Sequence, residues 1–152
     1  MGRHVLVPVD GSEQAQDAVE HAVGTFPDAE FTFLSVIDPS DVNSLAVGPA
    51  TTPVQSPPAL PGVGEAWYED RTERAEELLE EAVAQAEDVN AAAETAIRTG
   101  KPAREIEEFA EEAAVDHIVI GSHGRTGVSR VLLGSVAESV VRRADCPVTV
   151  VR

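Results

Sequence analysis

The residues best suited to do chemistry lie close together: Gly121-Ser122-His123-Gly124-Arg125-Thr126-Gly127, then Gly134-Ser135 at the head of a helical segment. Glycine has no Cβ, so the N–H groups of such a loop can approach an anion closely. A helix start adds unpaired donors and a partial positive charge. A strand, a glycine-rich loop and a helix N-terminus in that order therefore form an anion-binding arrangement. The loop is neither a Walker A sequence nor a GxGxxG fingerprint. Its local chemistry alone leaves phosphate binding and an ordinary glycine-rich turn equally open. Arg125 and Arg130 would add local positive charge.

Each of these residues also has a purely structural use. Ser135 and Glu138 fit the Ser-x-x-Glu capping box, in which the hydroxyl only satisfies the helix start. Asp10, which ends an apolar run before Gly11-Ser12, suits an Asx-type turn as well as a ligand contact. His123 either donates to a phosphate or stands idle in solvent, and Gly127 is a turn former. His4, His21 and His117 have no metal-ligand spacing. No carboxylate pair, nucleophile with base, or metal cluster assembles from the rest, so no catalytic and no metal site is assigned.

The elements that must hold these residues follow from periodicity. Val5 to Val9 reads as a first strand, with Pro8 predicting a local distortion because it lacks a ladder donor. Ala15, Ala18, Val19, Ala22 and Val23 repeat at helical spacing over about 12–24, Ser12 is a candidate N-cap, and Gly24 marks the stop. Glu30 to Ile37 is a second strand. Residues 38–64 carry six prolines, at 39, 49, 53, 57, 58 and 61, and are read as a flexible loop or flap. A long amphipathic helix over 65–87 buries Ala75, Leu78, Leu79, Ala82, Val83 and Ala86. Then come a strand over 91–98, a helix from Pro102 with Ile106, Phe109, Ala110 and Ala113 inward, a strand over 116–120, a helix over 135–143 and a strand over 147–151. Alternating strands and helices predict one doubly wound α/β domain over 1–152 with a parallel sheet covered on both faces.

Gly121-x2-Gly124-x9-Gly134-Ser135 matches the G-x2-G-x9-G-[S/T] signature of the ATP-binding branch of the universal stress proteins in all four residues and both spacings. Val7-Pro8-Val9-Asp10-Gly11-Ser12 resembles that family's opening strand and turn, and Cys146-Pro147-Val148-Thr149-Val150-Val151 its closing strand. The resemblance implies a Rossmann-like, adenine nucleotide alpha hydrolase-like domain with a five-stranded sheet in the order 3-2-1-4-5, its ligand at the switch point between the first and fourth strands. It further implies that Asp10 contacts a ribose, that Val36 offers backbone groups to adenine, and that Gly121 lies near the ribose. Gly124, Gly134 and Ser135 would hold phosphates, with Arg125 beside them. ATP, ADP or AMP is the implied ligand, with Mg²⁺ as a further candidate, and a homodimer through the last strand is the implied assembly.

Composition limits the rest. A formal net charge of −16, with 27 acidic residues against 11 basic ones, argues against a nucleic-acid partner, since phosphate backbones need a cationic face. An acid excess with a single lysine, Lys101, resembles the surfaces of salt-adapted proteins. The lone Cys146 forms no internal disulfide and agrees with a reducing cytoplasm. No apolar run approaches the roughly 20 residues a bilayer requires, so no membrane span is expected. The leading expectation is a cytoplasmic nucleotide-binding stress sensor, at most a slow ATPase, whose protein partner is unknown. The alternatives are a nucleotide-independent dimeric interaction module of the same fold and an enzyme of a related fold. The last lacks both the His-x-Gly-His and Ser-Gly-Gly-x-Asp-Ser motifs.

Overall fold

The computed structural model describes residues 2–41, 63–123 and 133–152. Its elements are β1 (His4–Pro8), α1 (Glu13–Thr25), β2 (Glu30–Ile37), α2 (Val63–Asp88), β3 (Ala92–Thr99), α3 (Pro102–Glu112), β4 (His117–Gly121), α4 (Ser135–Arg143) and β5 (Val148–Val151). All strands are parallel in one five-stranded sheet ordered β3-β2-β1-β4-β5. Helix α2 begins two residues earlier than its apolar spacing predicted, and most of the proline-rich stretch, 42–62, lies outside the described residues.

Alternation along each strand divides the core in two. Val5, Val7, Phe31, Phe33 and Val119 turn to one face, where Ala18 and Val19 of α1 and Leu79 and Ala82 of α2 cover them. Leu6, Leu34, Ile118 and Ile120 turn to the other, under Ile106 of α3 and Ala137 and Val140 of α4. The two connections that build β1-β2-β3 carry their helices on the first face. The two that build β4-β5 carry theirs on the second. The direction of winding therefore reverses between β1 and β4.

The hydrogen-bonded pairing of these neighbouring strands stops at that reversal. Their pairing runs through Val5↔His117 and Leu6↔Ile118, whereas β1 pairs with β2 as far as Pro8↔Leu34. The Val9 N–H donates to the Leu34 carbonyl at 2.8 Å, so alternation directs the nitrogen of Pro8 towards β4, where it has no proton to give. The distortion expected at Pro8 is thus an interruption of the β1–β4 ladder in the middle of a sheet, at the switch point where a crevice lies in folds of this kind.

Gly121, at the end of β4, lies hard against the first turn of α1. A Cβ there would stand 2.7 Å from the Gln14 carbonyl carbon and 2.8 Å from its oxygen, both rigid helix backbone. The glycine is needed to pack β4 under α1, whatever else it does. At the other end of β4, His117 shares a 2.7 Å hydrogen bond with the Thr149 hydroxyl of β5. Burial, aided by Arg3, holds its imidazole below the usual histidine range.

Gly121→Ala should destabilise the fold by about 1–3 kcal/mol, the cost of overpacking against atoms that cannot yield, as read from urea unfolding. Protonating His117 is harder in the folded than in the unfolded chain. Its contribution is therefore complete above the unfolded value of about 6.5 and is lost as pH falls through the lower folded value. The urea midpoint of the parent protein should accordingly drop more between pH 7.5 and pH 5 than that of His117→Gln.

A crevice at the ends of β1 and β4

Continuing the β1–β4 register sets Gly121 level with Val9, so Asp10 and Gly121 sit at the ends of adjacent strands. After Val9 the chain turns through Gly11 at φ +82°, a left-handed conformation that favours glycine. Asp10 Oδ1 accepts hydrogen bonds from the Ser12 N–H at 2.9 Å and from the Ser12 hydroxyl. Ser12 Oγ in turn accepts from the Ala15 N–H at 3.1 Å, capping α1. The Asx turn and the N-cap anticipated here are both formed, and they fix the direction of the Asp10 carboxylate through a partly buried relay.

The second wall is built around Ser122, a residue that motif reasoning passed over. Its N–H donates to the Val151 carbonyl at 2.8 Å and its carbonyl accepts the Gly134 N–H at 2.7 Å. One peptide segment therefore ties the end of β4 to β5 and to the start of α4, so the chain leaves at 123 and returns at 133 to the same point. The Ser122 hydroxyl shares a 3.1 Å hydrogen bond with His123 Nδ1. His123 is only 7% exposed, which rules out the idle solvent-facing role, and its Nε2 has no partner among the described residues.

Two roles in the loop change as a result. The Gly134 N–H is committed to Ser122, so it is not a phosphate donor; Gly134 acts as the N-cap residue of α4. The capping box is not formed either. Ser135 is the first helical residue, exposed, with no cap hydrogen bond from a side chain among the described residues, and Glu138 instead pairs with Arg142 at 2.8 Å. The first-turn N–H groups from Ser135 onward have no partner within the helix. Gly124 and Arg125, the remaining signature and loop residues, lie outside the described residues, as do Gly127 and Arg130.

Val36 stands beyond the end of β1. Leu34 bonds to β1, so alternation turns the N–H and C=O of Val36 to the same side, past Pro8↔Leu34. Beside it a cavity of about 20 Å³ is lined by Ser35, Ile37, Asp38, Trp67 and Arg71 among others. Trp67 is buried, its Nε1 has no partner among the described residues, and the Arg71 guanidinium lies 5.5 Å from its ring centre. The sequence signal for this residue was a lone tryptophan on the first turns of an amphipathic helix, which reads as core. Cys146, half-buried against the second core cluster, has its thiol pushed up chiefly by burial, which disfavours reactivity. Among the described residues there is no group of acidic, histidine and cysteine side chains able to hold a metal, and no helix is long and apolar enough to cross a membrane.

Comparison with known proteins agrees with this architecture. Universal stress protein MJ0531 of Methanocaldococcus jannaschii is 37% identical over 152 residues, covering 99% of this chain and 82% of the relative. Among solved structures, that of MJ0577 superimposes with a TM-score of 0.80 at 32% identity, covering 99% and 96% of the two chains. Universal stress protein UspA from Lactobacillus plantarum gives 0.81 at 30%, covering 99% and 97%. More distant structures that share the fold, at 20–24% identity, include a universal stress protein in complex with cAMP and one from Arabidopsis thaliana with AMP bound. The model of the universal stress protein family matches residues 1–152, and with that match the split sheet and its crevice have their context: the chain belongs to the universal stress protein family.

Proposed function

We propose that this chain binds an adenine nucleotide in the crevice between β1 and β4 and serves as a nucleotide-responsive regulator of the stress response in the cytoplasm, with at most slow ATP hydrolysis. The observation that carries this reading is the bare start of α4. Gly134 has φ −63° and ψ 158°, dihedrals open to any residue, and serine or aspartate there would supply a capping oxygen that glycine lacks. Backbone conformation does not explain the glycine. Access of an anion to the N–H groups behind it does.

The other residues take roles consistent with that position. The Ser135 N–H and hydroxyl face the phosphates, with Gly124 and Arg125 assigned beside them on the signature. Asp10 receives the ribose, near Gly121, and the outward-facing N–H and C=O of Val36 suit the edge of adenine. His123, with a buried nitrogen that lacks a partner among the described residues, gains a hydrogen bond if a phosphate comes within reach, which would recover the cost of leaving it unpaired. Relatives of the same fold bind cAMP, AMP or dAMP. ATP itself and Mg²⁺ are the extension made here from the signature. The surface charge of −16 repels a polyanion, so oriented N–H groups and the loop arginines must supply the local attraction.

Calorimetric titration of ATP, ADP and AMP into nucleotide-free protein should show saturable binding, and no heat at millimolar nucleotide would sink the proposal. Ser135→Glu sets a carboxylate on the first turn, which favours the helix but opposes a phosphate. It should leave the melting temperature intact and weaken ATP binding at least about tenfold.

The family resemblance also supports a homodimer through β5. Ile118 donates to the Pro147 carbonyl and Ser122 to that of Val151, so Pro147, Thr149 and Val151 face β4. The N–H and C=O of Val148 and Val150 therefore turn outward on an edge strand. Val150→Pro removes an outward donor without touching the β4 ladder. Light scattering should show a dimer for the parent and a monomer for this variant. A monomeric parent at tens of micromolar would contradict the assignment.

A further inference from the structure

The opposite edge of the sheet holds a larger feature that the nucleotide crevice does not use. Between α2 and β3 runs an open groove of about 680 Å³. Its floor includes Leu79, Val83 and Ile97, and Glu76, Glu80 and Glu87 stand along its α2 side. Among the described residues β3 pairs only with β2. The Gly100 N–H donates to the Ile37 carbonyl, so alternation turns the N–H and C=O of Thr95 and Ile97 outward along the groove. Edge strands are commonly blunted by proline, lysine or a bulge. β3 has neither proline nor lysine, and its charged residues Glu94 and Arg98 project to the other face, where Arg98 lies 5.2 Å from the Phe109 ring centre.

Charge identifies the occupant. Glu76, Glu80 and Glu87 are exposed and form no ion pair among the described residues. A second copy pairing edge to edge would bring the same three glutamates against them, which like-charge repulsion opposes. The chain's own proline-rich stretch, 42–62, has no lysine or arginine to offer. Spacing agrees as well. Four helical residues advance about 6 Å, and two strand residues about 6.6 Å, so cations at alternate positions of an added strand keep step with Glu76 and Glu80. Arginine or lysine stems would lie on Val83 and Ile97 while their heads reach the carboxylates.

We propose that β3 and α2 form a docking groove for an extended, arginine- or lysine-bearing peptide segment of another protein, which adds as a strand to the β3 edge. Backbone pairing with Thr95 and Ile97 supplies the register, the apolar floor takes alternate side chains, and the glutamates select for positive charge.

The probe is an acetylated, amidated nine-residue peptide in which arginine takes every alternate position, with valine and threonine between. Titrated into the full chain at low ionic strength, it should bind saturably and shift the amide resonances of Thr95 and Ile97. Reversing two exposed charges in Glu76→Lys/Glu80→Lys should weaken it at least about tenfold. N-methylating the peptide amides that would face β3, at constant charge, should do the same. The proposal is overturned by no binding at millimolar peptide, by shifts that bypass β3, or by equal affinity of the N-methylated peptide, which would reveal charge attraction alone. Nucleotide titration of the double variant gives a separate readout that should not change, so this groove and the crevice stand or fall independently.

Discussion

The β1–β4 ladder stops at Leu6↔Ile118, and most of the molecule's organisation depends on that stop. A central pair of parallel strands would ordinarily remain hydrogen-bonded along its length. Here Pro8 brings no N–H to β4, and the two strands hand their chains to helices on opposite faces. The result is an interrupted ladder in the middle of a sheet whose inner strands are otherwise largely buried. Gly121 keeps this point in position by letting α1 settle onto the end of β4, with no atom to spare for a side chain.

Around that point the backbone's own polar groups do most of the positioning. Asp10 holds Ser12, Ser12 caps α1, and the carboxylate is thereby aimed without any long side chain. Ser122 clamps β5 and α4 through its two backbone groups. Short relays of this kind lose little conformational entropy and leave little play, which suits a site that must meet a ligand with fixed donors. They also explain why the start of α4 can remain bare: its position is secured one residue earlier, at Gly134, and not by a cap.

Acidity is distributed unevenly in its consequences. In the proposed nucleotide crevice the excess of carboxylates would work against an anionic ligand and leave the attraction to oriented N–H groups. Along α2 the same excess, set beside an open strand edge and an apolar floor, would select the cationic partner proposed for that groove. One global charge would thus oppose the ligand proposed for one site and favour that proposed for the other, the two sites being separated by the width of three strands in the order β3-β2-β1.

Much of this was legible from the residues. Apolar spacing located every strand and helix within a few positions, because each element buries one stripe or one alternating face and the chain must show that period. Ser12 as a cap, Asp10 as an Asx turn and Pro8 as a disruption also followed from local chemistry, since their partners lie within a few residues. Gly121, Gly134 and Ser135 were legible as a set through their spacing, but not in their separate duties. What only the tertiary structure decided are the contacts between residues distant in sequence. The Gln14 backbone beneath Gly121 is one, and the Ser122 clamp on Val151 and Gly134 is another. The burial of His123 and Trp67, and the groove formed where α2 meets the outer edge of β3, are the others. None of these leaves a period or a motif, because each arises only when the sheet order brings separate segments together.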